Sequence, residues 1–297
     1  MLSILIPTYN YNAFPLVEEL QNQAIEAGIA FEIIILDDGS TDEISLNENL
    51  KINTLENCSF EKNETNTGRA KFRNLLSKIS KYNLLLFIDC DTFPKNKKFI
   101  ALYVNGISVN NNIIFGGIAY KKTKPNQESL LRWKYGSSRE EITVLERRKN
   151  PYKTTLVSNI LIKKEVFDSV KFDERINQYG YEDLVFIQNL KTKDYPIYHI
   201  DNPIYHLNYE TSIEFLEKTK KALESLKFIE ETKILGTTET KIQKSYHFIL
   251  KFKLNRIIIY LYRKFEFLAK KNLLSKKTSL LIFDLYKLAY FCVIKLK

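Results

Sequence analysis

Over residues 1–117 short apolar runs alternate with stretches in which apolar residues recur every three or four positions, the period of a one-sided helix. The runs Leu2–Pro7, Phe31–Leu36, Leu84–Ile88 and Asn112–Gly117, with a shorter one near Ile52–Leu55, predict strands. Phe14, Leu16, Val17, Leu20 and Ile25 predict a helix with Glu18 and Glu19 on its wet face; Ala70, Phe72, Leu75, Leu76 and Ile79 predict another, and Phe99–Val104 a third. This alternation predicts an α/β domain built on a mostly parallel sheet. In such sheets ligands bind beyond the carboxyl ends of the strands. Three of those ends carry polar loops, Pro7-Thr8-Tyr9-Asn10, Asp37-Asp38-Gly39-Ser40 and Asp89-Cys90-Asp91, which are expected to converge on one edge.

Farther along, residues 120–150 read as a charged connection carrying the one tryptophan, Trp133. An aromatic among cations suits stacking on a sugar ring or covering a site, and equally packing the loop down. Thr154–Ile162 predicts a strand whose polar middle, Ser158-Asn159, faces an acceptor. Tyr179-Gly180-Tyr181 breaks the chain, and Glu182-Asp183 then opens a helix with Leu184, Phe186, Ile187 and Leu190 on its apolar side. Acids in a first helical turn are also favoured by the helix dipole alone. Pro203–Leu207 is a strand-like return bearing His206, and a long helical pattern runs from Ser212 to near Gly236.

Composition narrows the class. The chain of 297 residues can bury a sizeable core, and its 9 Gly and 7 Pro exclude low-complexity disorder. Cys58, Cys90 and Cys292 are odd in number and scattered, which points to a reducing compartment. The N-terminus shows neither a basic leader nor a cleavage site, so an unexported protein is expected. Net charge becomes informative once located. Residues 241–297 hold fourteen Lys or Arg against Glu266 and Asp284, a net of +12, which leaves about −2 for residues 1–240 of a chain at +10. A polyanion-binding role for the whole protein is thereby excluded.

The C-terminal stretch mixes basic residues with apolar blocks, Ile257–Tyr262, Leu280–Phe283 and Leu288–Ile294, none of them near the roughly twenty apolar residues of a membrane span. Basic helices rich in Phe, Tyr, Leu and Ile suit an anionic membrane surface. A helical subdomain with a basic exterior fits the same pattern. Nucleic acid is not expected, because so much aliphatic surface has no use on phosphates.

The chemistry concentrates at Asp89 and Asp91. One residue apart on an extended backbone, they point the same way and suit a divalent cation such as Mn or Mg; a solvated turn is the plainer alternative. Arg69 and Arg73, four apart on a helix, share a face, and each could reach a base edge or a diphosphate with its donor fork.

Taken in order, Pro7-Thr8-Tyr9-Asn10, Asp37-Asp38-Gly39-Ser40, Gly68-Arg69 with Arg73-Asn74, and Asp89-Cys90-Asp91 resemble the nucleotide-sugar domain of bacterial-type, inverting family-2 glycosyltransferases of GT-A fold. The resemblance implies a Rossmann-like mixed sheet flanked by helices, with a catalytic domain over 1–210 (donor half 1–120, acceptor half 121–210) and a basic helical region over 211–297. It implies that Pro7, Thr8, Tyr9, Asp38, Arg69, Arg73 and Asp89 line the nucleotide-sugar donor, with Asp37 fixing its loop. Asp91, Asp89 and His206 would hold the metal, with His199 a rival to His206. Asp183 would be the general base, and Glu182 would orient the acceptor. The implied reaction is metal-dependent transfer of a hexosyl or N-acetylhexosaminyl group from a nucleotide-diphosphate donor, of the UDP-sugar kind, to a glycan or lipid-linked hydroxyl in cell-surface polysaccharide synthesis. The protein would be cytoplasmic, and peripheral on the inner face of the cell membrane where the tail docks. A nucleotidyltransferase is the competing enzyme, but it wants a Gly-rich basic loop after the first strand. A non-catalytic sugar-nucleotide or membrane-surface binding protein would have no use for intact Asp91, Glu182 and Asp183.

Overall fold

In a computed structural model, residues 1–107 and 111–296 are described. In chain order the elements are β1 (Leu2–Thr8), α1 (Phe14–Glu26), β2 (Phe31–Asp37), α2 (Glu43–Leu50), β3 (Cys58–Lys62), α3 (Arg69–Ile79), β4 (Leu84–Ile88), β5 (Thr92–Pro94), α4 (Phe99–Gly106), β6 (Ile113–Phe115) and β7 (Ile118–Ala119). There follow α5 (Leu130–Arg139), α6 (Val144–Lys149), α7 (Pro151–Thr154), β8 (Asn159–Lys163), α8 (Lys164–Val170), α9 (Glu182–Thr192), β9 (Tyr198–His199), β10 (Ile204–His206), α10 (Ser212–Glu231), α11 (Lys241–Lys251), α12 (Asn255–Leu273) and α13 (Leu280–Ile294). The chain divides into two compact units: Met1–Tyr120 with Glu140–Asn177 and Glu182–Asn208, and Lys121–Arg139 with Gln178–Tyr181 and Tyr209–Lys297.

The first unit is built on a seven-stranded sheet in the order β3-β2-β1-β4-β8-β6-β9. The strands β1 to β4 run parallel, and β8 runs antiparallel to both β4 and β6, so the sheet is mixed. Its central strands are apolar on both faces, with Ile4, Leu5, Ile6, Leu85, Leu86 and Ile88 fully buried. That is why they read as unbroken apolar runs. Register aligns the site: Thr8 lies opposite Asp37, and Leu5 opposite Phe87, which brings the ends of β1, β2 and β4 to one edge. A second, three-stranded sheet in the order β5-β10-β7 sets His206 opposite Thr92. Under β4 an aromatic layer anchors α9: Phe87 stacks on Phe167 at 5.1 Å, and Phe172 on Phe186 at 4.4 Å.

Several local expectations are corrected. Residues 51–54 form a single 3-10 turn, and the strand lies later, in β3. Ile52 is drawn into the core, and the Asn53 side chain brackets Phe60, accepting from its N–H at 2.8 Å and donating to its carbonyl. An apolar pair that plugs the core by a turn looks like a short strand in sequence. Thr154 closes α7, so the strand predicted from it begins only at Asn159. Asn159 does not face an acceptor: it is fully buried, receives the Tyr103 hydroxyl at 2.7 Å and donates to the carbonyls of Gly117 and Asn202. The connection over 120–150 holds two helices, α5 in the second unit and α6 in the first.

Buried Arg147 is the second polar bracket of this unit. Its guanidinium donates to the carbonyls of Ile142, Phe115, Gly116 and Ile200 and lies over the Phe115 ring. Gly117, at φ +102°, must be glycine because a Cβ there would sit 2.7 Å from Arg147 Nη2. Arg147→Leu strands those carbonyls in the interior, at about 1–3 kcal/mol for each one left unsatisfied. A net loss of about 3 kcal/mol or more is expected in urea unfolding.

Second-unit helices α10 and α11 each begin with a reciprocal capping box, Thr211 with Glu214 and Thr240 with Gln243. The helices α11, α12 and α13 share a core of Tyr246, Ile249, Ile259, Phe291 and Cys292. No helix among the described residues is long and apolar enough to cross a membrane.

Candidate active site

Two loops are laced together at the ends of β1 and β2. Asp37, fully buried, accepts from the Ser40 N–H at 2.7 Å and from its hydroxyl, closing the acidic turn on itself. Asn10 then ties the first loop to the second: its N–H donates to Ser40 Oγ, and its side-chain oxygen accepts from the N–H groups of Thr41 and Asp42. Asp38 turns the other way, accepting from the Thr67 N–H at 2.7 Å and the Gly68 N–H at 3.2 Å just ahead of α3. This packing is close. A Cβ on Gly39, at φ +80°, would stand 2.9 Å from Asn66 N. Thr8 is buried, Pro7 half-buried and Tyr9 exposed over this edge.

Helix α3 carries Arg73 into the middle of the site. Its side chain is 2% exposed, with Nη1 2.6 Å from Asp183 Oδ1, Nη2 3.1 Å from Asp89 Oδ1 and Nη1 3.7 Å from Glu182 Oε1. Burial alone would lower its pKa, but Asp183, Asp89 and Glu182 outweigh that and raise it. One turn earlier on the same face, Arg69 is half exposed and reaches Glu182 Oε1 at 3.8 Å. Arg73 was expected to reach a base edge or diphosphate; here its fork is committed to carboxylates.

Both acids at the start of α9 are therefore held. Glu182 is buried, and its second oxygen, Oε2, has no hydrogen-bond partner among the described residues. Asp183 keeps 28% of its side chain accessible. Burial pushes its carboxyl up to about 6, Arg73 pulls it back, and Glu182 and Asp89 push it up again.

The residues Asp89 and Asp91 do not act as a parallel pair. Strand β4 ends at Ile88 and the chain turns, so the two-residue alternation of an extended strand stops before it reaches them. Asp89 goes to Arg73, whereas Asp91 Oδ2 lies 3.5 Å from His206 Nε2. The Leu207 N–H donates to the Asp91 carbonyl at 2.8 Å, and the Tyr120 ring stacks on His206 at 5.7 Å, so both partners are fixed. The Asp91 carboxylate suits a hard cation such as Mn or Mg, and the imidazole nitrogen beside it favours a transition metal over Mg. Among the described residues no group of three His, Cys, Asp or Glu side chains could hold a cation by itself.

His199, the rival, is buried against Arg147, whose Nη1 lies 3.2 Å from its Nδ1; burial and that cation push it down to about 4 and keep it neutral and structural. Between the two acids Cys90 is half-buried, its thiol pushed up to about 12 by burial. Trp133 belongs to the second unit, where its indole N–H donates to the Lys121 carbonyl.

Sequence reasoning missed Tyr11, and it placed Asn10 and Ser40 in the two loops without giving either a role. Burial, then Asp91 and Cys90, push the Tyr11 hydroxyl up to about 12, which marks it as a neighbour of Asp91. Asn10, at φ +48°, carried a signal, since Asn is the residue apart from Gly that tolerates such a bend.

Comparison with known proteins agrees with this layout. The family profile described as Glycosyl transferase family 2 matches residues 3–170, more than half of the chain. An uncharacterised glycosyltransferase of Haemophilus influenzae is 34% identical over 117 residues, 39% of this chain and 38% of the relative. One of Rickettsia felis is 36% identical over 123 residues, 41% of this chain and 19% of the relative. The match thus spans well under half the length of either. A mannosyltransferase of Pyrobaculum calidifontis, solved with GDP-mannose and Mn2+, superposes with a TM-score of 0.60 at 13% identity, over 99% of this chain and 86% of its own. The fold is the GT-A fold, and the chain belongs to glycosyl transferase family 2.

Proposed function

We propose that this protein is an inverting, metal-dependent glycosyltransferase that moves a sugar from a nucleotide-diphosphate donor, of the UDP-sugar kind, to a hydroxyl of a glycan or lipid-linked acceptor. The observation that carries the reading is the grip of one buried arginine on Asp183 and Asp89 at once. It ties the acid at the head of α9 to the strand end from which Asp91 projects.

In this reading the donor's nucleotide lies along Pro7, Thr8, Tyr9 and Asp38, with exposed Arg69 near its diphosphate. Asp91 and His206 would hold the cation. When bound, the cation offsets charge on the departing diphosphate; its use by the like-folded mannosyltransferase supports the assignment. Arg73 fixes Asp183 through Oδ1, which orients Oδ2 for a proton. The acceptor hydroxyl gives that proton to Asp183 as its oxygen bonds to the anomeric carbon. The bond from that carbon to the diphosphate breaks with its electron pair leaving on the diphosphate, and the single displacement inverts the centre. Glu182 Oε2, buried and unpartnered, is suited to receive a second acceptor hydroxyl.

The test begins with a thermal-shift screen of nucleotide sugars with and without Mn2+. The cognate donor should stabilise the protein only with metal, by about 2.7 kcal/mol at a hundredfold excess over its dissociation constant. In Asp91→Ala that metal-linked shift disappears while unfolding of the free protein stays cooperative; an unchanged shift, with or without chelator, counts against the metal pair. Asp183→Asn should lose roughly a hundred- to ten-thousandfold in turnover with donor binding intact, and near-normal transfer would sink the base assignment. Because the base must be ionised, activity should fall as pH drops through about 6, the value set by the burial of Asp183. Arg73→Met removes the cation that holds this pKa down, so the acidic limb should move up by about one unit or more. A profile whose acidic limb stays in place would separate Arg73 from the base.

A further inference from the structure

The outer face of α12 is apolar where a surface helix should be polar. At 100° per residue, Ile259, Tyr262, Ala269 and Leu273 share one side and pack inward. Ile257, Leu261 and Leu268 share the opposite side at 55%, 42% and 56% exposure, flanked by exposed Tyr260 and Phe267. On the preceding helix, Phe248 and Phe252 are exposed as well. Cations frame this stripe: Lys264 and Lys271 lie within it, and Arg256 and Arg263 run along one edge, all exposed. The single acid of α12, Glu266, faces inward, where it receives Tyr262, Lys270 and Lys220.

We infer that this outer face of α12 docks on an anionic lipid bilayer, lying in the interface with its aliphatic and aromatic side chains below the headgroups and its cations among the phosphates. Charge complementarity selects this occupant. Residues 241–297 carry a net +12, so a second copy of the same face would bring like charge against like charge. A nucleic acid would leave the leucines and isoleucine in water. Helix α12 is about 28 Å long, and such a helix settles about 5–10 Å into the boundary between headgroups and acyl chains. The inference concerns the second unit alone and does not rest on the assignment of the catalytic site.

The experiment is flotation of the full-length protein with phosphatidylcholine vesicles, with and without phosphatidylglycerol, at low and high salt. Binding is expected only to the anionic vesicles, weakened by salt. Leu261→Glu and Leu268→Glu should each weaken it about tenfold or more, and Lys264→Gln and Lys271→Gln about fivefold each. Circular dichroism and metal-linked donor binding should be unchanged in all four, which separates failure of docking from failure of the catalytic reading. Absence of flotation at low salt, or full binding by the two glutamate variants, overturns the inference. So does light scattering that shows a dimer which the same glutamate variants dissociate and vesicles do not compete for.

Discussion

A guanidinium that is 2% exposed is tolerable only while its carboxylates stay in place, and Arg73 has three of them. Taking an ion out of water costs several kcal/mol, which close partners must repay. The partners come from two places: Asp89 from the end of β4, and Glu182 and Asp183 from the head of α9, over ninety residues later. Placing the charge therefore fixes a long-range contact, and the contact is the one on which the chemistry depends. The aromatic layer of Phe87, Phe167, Phe172 and Phe186 serves the same end by apolar means, since it packs α9 and β4 against one another beneath the acids.

That arrangement carries an electrostatic consequence. Four ionisable groups within salt-bridge range, three of them acids and one a base, leave a surplus of negative charge beside a fourth acid, Asp91. In the proposed reaction a donor bringing its own diphosphate to this edge would meet like charge, which a divalent cation held there would offset. Arg69 adds the only other cation in contact with these acids among the described residues. The raised pKa of Asp183 follows from the same surplus together with burial. The features that make the site costly to assemble are those that raise the pKa of Asp183.

Much of this was legible in the chain because it rests on local rules. Both-faced apolar runs announced β1, β2 and β4, and the polar loops at their ends announced the edge of the sheet. What stayed hidden needed contacts between distant residues. Strand alternation alone points Asp89 and Asp91 the same way, although the resemblance already leaned Asp91 to the metal and Asp89 to the donor side; the end of β4 at Ile88 turns them to different partners. Sequence favoured His206 over His199 only by its place near the end of an apolar run; in the structure Arg147 packs against His199, and Asp91 lies beside His206. Asn159 looked like a polar contact for an acceptor, yet a fully buried amide can be accommodated where Tyr103, Gly117 and Asn202 satisfy it.

The distribution of charge along the chain has its own logic. Residues 1–240 carry a small negative net charge, while nearly all of the surplus positive charge lies in the last three helices. Had the cations been spread over the first unit, they would compete with Arg73 for its acids and draw anions to many places at once. Segregation leaves the acidic edge free for a cation and a diphosphate. It also concentrates in one helical unit the positive charge that Ile257, Leu261 and Leu268 would need in order to meet a negatively charged surface.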